Sequence, residues 1–227
     1  MRRLSLSAAL LPAALLAAVP VGAQVTPAPA APAAAPAAAP TPTTPAPEVG
    51  QPAPDFTAAW ADSSGPRATP LKLSEHRGKV VVLAFYPKDR SSGCTAELTK
   101  FRDEHATLFG PDVVVLPVSV DDVATHASWA KEMNFPFPLV ADPTLAVAEQ
   151  YGSRMAGRPT SSRTVFVIGK DGTVAWRDLR FNALAENAYT ALAAAVKQAR
   201  GAECRDPTTA SAAAAPTAPP RSPARRA

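Results

Sequence analysis

Lys79-Val80-Val81-Val82-Leu83-Ala84-Phe85-Tyr86 is a continuous apolar, largely β-branched run with no polar alternation, the pattern of a strand buried on both faces. A strand of this kind needs neighbours on both edges and packed layers above and below, which restricts the chain to a sheet covered by helices. A second run, Val113-Val114-Val115-Leu116-Pro117-Val118, lies within Asp112–Val120. Its proline predicts that the later part is irregular or near a sheet edge. Between the runs, Cys94 to Phe109 reads as a helix, with Leu98, Phe101, His105 and Leu108 recurring on one face. Strand, helix and strand in that order predict a right-handed parallel crossover.

Further along, Asp121 to Met133 reads as a helix with the Asp121-Asp122 pair at its positive end. Leu139 to Ala141 reads as a short strand, and Leu145 to Tyr151 as a short helix closed by Gly152. Arg163–Ile168 and Thr173–Trp176 flank Lys170-Asp171-Gly172, a hairpin signal. A last, alanine-rich helix covers Ala183 to Arg200. The expected class is α/β, a thioredoxin-like fold whose mixed central sheet is flanked by helices.

The ends differ from this middle. Met1-Arg2-Arg3, an apolar run through Val19 and the small-residue pattern Val21-Gly22-Ala23 predict a signal peptide over residues 1–23. The run is interrupted by Pro12 and Pro20 and is too short to cross a bilayer. Cleavage is therefore expected over anchoring, leaving an exported, periplasmic chain that does not span the membrane. Residues 24–48 are nearly all Ala, Pro and Thr, too poor in large apolar side chains to offset the entropy of ordering, and are expected to be a disordered linker. A similar Ala/Pro/Arg composition predicts a disordered tail over 204–227. Residues 49–203 form the one folded domain. There, 17 Lys and Arg face 17 Asp and Glu, so the basic excess belongs to the ends. A neutral domain with no basic stripe argues against nucleic acid as a partner.

The chain has two cysteines, Cys94 and Cys204. In an exported protein the pair fits one structural disulfide. The surroundings of Cys94 point elsewhere. It sits where the first strand has passed through a short loop and a helix begins, so free backbone N–H groups and the helix dipole favour a thiolate, the reactive form. Gly93 lets the backbone come close to a ligand. His76, His105 and His126 share no ligand spacing with one another or with the cysteines, so no metal site is expected. No cofactor is implied.

Pro87-Lys88-Asp89-Arg90-Ser91-Ser92-Gly93-Cys94-Thr95-Ala96-Glu97, preceded by Phe85-Tyr86, resembles the active-site loop of the peroxiredoxins, and most of all that of their bacterioferritin comigratory protein branch. Pro87, Ser91 and Cys94 fill the family's pattern of Pro, three residues, Thr or Ser, two residues, Cys. Arg163-Thr164-Val165-Phe166-Val167-Ile168 is similar to the segment that supplies the family's arginine, and Phe135 to Pro143 and Glu149 to Gly152 extend the likeness. The resemblance implies a thiol-dependent peroxidase. Cys94 would attack a hydroperoxide, Arg163 would hold the thiolate, Ser91 and the backbone at Gly93 and Cys94 would orient the peroxide, and Pro87 would shield the pocket. Glu97 either orients nearby side chains or is a helix-start acid. A thiol or thioredoxin-like protein would serve as reductant, and the chain would act as a monomer or homodimer.

One departure stands out. Thr99 occupies the position five residues after Cys94 where that branch often carries a second cysteine. Either an external thiol works with one cysteine, or Cys204 resolves the sulfenic acid. Two other classes remain open: an exported thioredoxin-like disulfide oxidoreductase, which would want a cysteine where Glu97 stands, and a non-catalytic binding domain of the same fold.

Overall fold

The computed structural model describes residues 44–202. The expected signal peptide, most of the Ala/Pro linker and the tail with Cys204 lie outside the described residues. Four short strands come first: β1 (Thr57–Ala58), β2 (Trp60–Asp62), β3 (Gly65–Pro66) and β4 (Leu71–Lys72). Then follow β5 (Val80–Phe85), α1 (Ser92–Asp103), α2 (His105–Leu108), β6 (Val113–Ser119), α3 (Val123–Met133), β7 (Leu139–Ala141), α4 (Ala146–Gln150), β8 (Thr164–Ile168), β9 (Val174–Asp178) and α5 (Glu186–Gly201).

The valine-rich run becomes the middle of a seven-stranded sheet ordered β3-β2-β7-β6-β5-β8-β9. β5 pairs in parallel with β6 and antiparallel with β8, and all six of its residues are buried. Successive side chains point to opposite faces. Val80, Val82 and Ala84 therefore enter one core with residues of α1, α3 and α5, while Val81, Leu83 and Phe85 enter a second with Phe56, Val147 and Tyr151. This two-sided burial is why the run shows no polar alternation. β1 and β4 form a separate two-stranded ribbon.

Pro117 is not at an edge. It lies in β6, between β5 and β7, opposite Ala84. The Tyr86 N–H donates to Val118 O at 3.0 Å, so Val118 turns its backbone groups toward β5 and its neighbour Pro117 turns toward β7. β7 is short and its parallel pairing begins at Val118↔Val140, so the missing donor has no ladder bond to break.

The helix expected over Cys94–Phe109 divides at Glu104 into α1 and α2. In one straight helix Phe101 and Phe109 would lie about 12 Å apart along the axis. The break brings their rings edge to face with centroids at 5.2 Å. The last helix also starts later than expected, because the Asn182 carboxamide oxygen accepts the Leu184 N–H and holds that stretch in a turn. At the other end, Arg177 donates to the carbonyls of Ala46 (2.9 Å) and Pro47 (2.8 Å), so residues assigned to the linker by composition are held against the domain. Backbone carbonyls do that work, and they leave no mark in residue type.

Candidate active site

β5 ends at Phe85, and the chain passes through Tyr86–Arg90 before Ser91 caps α1. The first helical bond runs from Thr95 N–H to Ser91 O at 2.8 Å, so the N–H groups of Ser92, Gly93 and Cys94 precede the helical ladder. Cys94 is the third residue of α1 and its side chain is buried among Leu98, Tyr86 and the rest of the α1-side core.

Arg163 reaches this helix start through the sheet. Its neighbour Thr164 pairs with Phe85, so the antiparallel β5–β8 register sets residue 163 beside the end of β5. Its carbonyl accepts the Phe181 N–H at 3.2 Å. The guanidinium lies between two groups on α1: Nη2–H donates to Cys94 Sγ at 3.3 Å, and Nη1 forms an ion pair with Glu97 Oε2. Glu97 stands one turn below Cys94 on the same face and is fully buried. Its other oxygen, Oε1, has no hydrogen-bond partner among the described residues. Arg163 is thus the counter-ion that makes a buried carboxylate tolerable, and its second arm is aimed at the sulfur.

Gly93 has a further use beside the expected one. A Cβ at that position would lie 3.2 Å from Arg163 Nη2, so the glycine leaves room for the guanidinium. Ser91 is exposed, and its Oγ donates to Lys88 O at 3.1 Å within the loop. Pro87 is half-buried, and its carbonyl accepts the Thr160 hydroxyl at 2.5 Å. Ser161 Oγ donates to Tyr86 O at 2.7 Å. Pro87, Ser91, Gly93, Cys94, Glu97 and Arg163 therefore gather at one end of β5. Arg154 and Arg158 stay exposed, the former 3.6 Å from Glu149. A cavity of about 500 Å³ lined by Trp60, Phe135 and Phe137 lies apart from these residues and does not include Cys94.

The sequence model of the AhpC/TSA family matches residues 49–177, more than half of the chain. This chain belongs to the AhpC/TSA family. Within it, the chain stands with the peroxiredoxins of the bacterioferritin comigratory protein branch. Peroxiredoxin Bcp of Bacillus subtilis is 34% identical over 144 residues, spanning 59% of this chain and 87% of that protein. The solved structure of peroxidoxin BcpB from Mycobacterium tuberculosis is 28% identical with a TM-score of 0.57, covering 67% of this chain and 97% of its own. Enterococcus faecalis AhpC, at 23% identity and a TM-score of 0.59 over 67% of this chain and 92% of its own, shows the shared thioredoxin-like fold.

Four residues around this peroxiredoxin site were not singled out from the sequence: Asp89, His126, Thr160 and Ser161. The two hydroxyls act only on backbone carbonyls, and the Asp89 carboxylate meets the His126 ring across 37 residues. Nothing in local spacing marks them, although a charged residue inside an otherwise motif-like loop was a usable hint for Asp89.

The Gly93 contact generates a prediction. Gly93→Ala should not lower thermal stability, since alanine is the better helix former. It should slow the reaction of Cys94 with hydrogen peroxide severalfold, because the guanidinium has to give by a few tenths of an ångström where it meets the sulfur. Stopped-flow measurement on the alanine variant checks this; a wild-type rate would mean that the contact does not matter to the chemistry.

Proposed function

We propose that this peroxiredoxin reduces hydrogen peroxide and organic hydroperoxides at Cys94. The observation that carries this assignment is the Arg163 Nη2 donor 3.3 Å from Cys94 Sγ at the opening turn of α1. The Cys94 thiolate attacks one peroxide oxygen, the S–O bond forms as the O–O bond breaks, and the departing oxygen leaves as water or alcohol after taking a proton. Arg163 stabilises the thiolate and then the charge on the leaving oxygen. The unused N–H groups of the first turn, together with Ser91, orient the peroxide, and Pro87 keeps water from the pocket. The sulfenic acid then condenses with a thiol, releasing water and giving a disulfide that a second thiol reduces.

Glu97 supports the arginine rather than the peroxide. It also weighs against a disulfide oxidoreductase, since the position where that chemistry needs a second cysteine holds a carboxylate committed to Arg163. Cys94→Ser should abolish thiol-dependent peroxide consumption. Arg163→Lys should lower the second-order rate with peroxide by about a hundredfold, because one ammonium cannot replace the two arms that hold Glu97 and Cys94. Substantial turnover in the serine variant would overturn the choice of nucleophile, and a near-normal rate in the lysine variant the choice of arginine.

The finer features rest on the sequence. The charged, apolar and small-residue order of the first 23 residues supports export and cleavage ahead of Gln24. With Thr99 at the position of the branch's second cysteine, Cys204 near the tail is the available internal partner for the sulfenic acid. A permanent bond to Cys94 would consume the nucleophile, so the bond is a reversible one, made within the chain or across a homodimer. Non-reducing peptide mapping of native protein after one equivalent of peroxide should find a chain starting near Gln24 and a Cys94–Cys204 disulfide that a dithiol reverses. Retention of Met1 would refute cleavage; Cys204 left free beside an oxidised Cys94 would favour the external thiol.

A further inference from the structure

The loop between β5 and α1 turns Asp89 inward, where it is 6% exposed, while Ser91 faces solvent. Asp89 Oδ1 accepts the Tyr86 hydroxyl at 2.7 Å, and Oδ2 lies 2.9 Å from His126 Nδ1. His126 is completely buried, and its Nε2 lies 3.2 Å from the Val140 carbonyl oxygen. The contact joins the loop to α3 inside the protein, and removing either member leaves the other buried without its partner, which is costly. Burial, and after it the Asp89 charge, raises the Tyr86 pKa well above the ordinary phenol value, so that hydroxyl keeps the proton it donates.

The same helix grips the next residue. Arg90 is a non-glycine residue in the left-handed region (φ 59°), an uncommon backbone state that needs outside support. Its guanidinium reaches Ser128 Oγ (3.0 Å) and Glu132 Oε2 (3.0 Å) on α3, but this contact is exposed and contributes little. The buried Asp89–His126 pair is the stronger hold. What it holds matters because Cys94 has no solvent-exposed surface. A disulfide requires two sulfurs at about 2.05 Å, and a thiol borne on a carbon chain is bulkier than hydrogen peroxide, so a reductant needs a wider opening of the first turn of α1 than the peroxide does.

We infer that Asp89 and His126 are positioning residues whose buried contact clamps the β5–α1 loop in the closed form where Arg163 meets Cys94, and so opposes the opening that exposes Cys94 to thiols. The consequence for turnover rests on the peroxidase assignment; the consequence for exposure does not.

The test uses the full chain carrying Cys204→Ser, so that Cys94 is the sole thiol, with two readouts: alkylation of Cys94 by iodoacetamide and its stopped-flow reaction with hydrogen peroxide. D89A and H126A should be alkylated at least about tenfold faster and react with peroxide at least about tenfold more slowly, since the closed form is less populated. D89N is the rescue. Its amide can accept from Tyr86 and donate to the Nδ1 of a neutral His126 that still donates to Val140, so both rates should stay within about threefold of the parent. Val174→Ala, in the core on the other face of the sheet, controls for general destabilisation. Unchanged alkylation in D89A and H126A overturns the clamp, as does the same acceleration in V174A at equal loss of Tm, or D89N behaving like D89A. If D89A does not fold, Tyr86→Phe removes only one donor to the carboxylate and should give a smaller acceleration in the same direction; no acceleration there counts against the clamp. If the parent chain fails to react with peroxide, the peroxidase assignment falls, and the alkylation comparison still decides the clamp.

Discussion

Arg163 has to satisfy two groups on one helix turn. Glu97 is a buried carboxylate whose Oε1 has no partner among the described residues, so the ion pair with Nη1 is what keeps that charge inside the protein. Holding Glu97 directs the guanidinium plane, and the plane then presents Nη2 to Cys94. A planar, doubly armed cation does this; a point charge would have to choose between the two.

Much of the surrounding structure follows from keeping this arrangement in register. The β5–β8 pairing sets Thr164 against Phe85 and so brings residue 163 to the end of β5. Gly93 leaves the guanidinium its space. The chain after β5 is tied from two sides: Thr160 and Ser161 take its backbone carbonyls, and α3 takes Asp89 and Arg90. The nucleophile is thereby dry and oriented. The same ties make it inaccessible to a reductant in the closed form, so activation and resolution make opposing demands on one loop.

The sheet was legible where side chains face two cores. The β5 and β6 runs, the parallel crossover and the Lys170-Asp171-Gly172 hairpin follow from burial and turn chemistry acting locally. Strands β1 to β4 were missed, being two or three residues each and too short to show a period. Pro117 misled because edge placement is a rule about missing donors, and here the missing N–H would face a stretch outside the β6–β7 ladder, so no ladder bond is lost. At the site, Cys94 could be argued from its place ahead of a helix, whereas Arg163 was reached only through likeness to a family. Its role depends on strand register, which one sequence does not display. Asp89 and His126 were lost for the same reason: a polar contact between a loop and a helix face has no periodic signature.

In the proposed reaction the Cys94 sulfur, held against Arg163, takes the oxygen from the peroxide. The most direct measurement is mass spectrometry of the Cys204→Ser chain treated with one equivalent of hydrogen peroxide in the presence of dimedone, which traps sulfenic acids. A single dimedone adduct on Cys94 is expected, strongly reduced when Arg163 is replaced by lysine. An unmodified Cys94 with the peroxide left intact would contradict it.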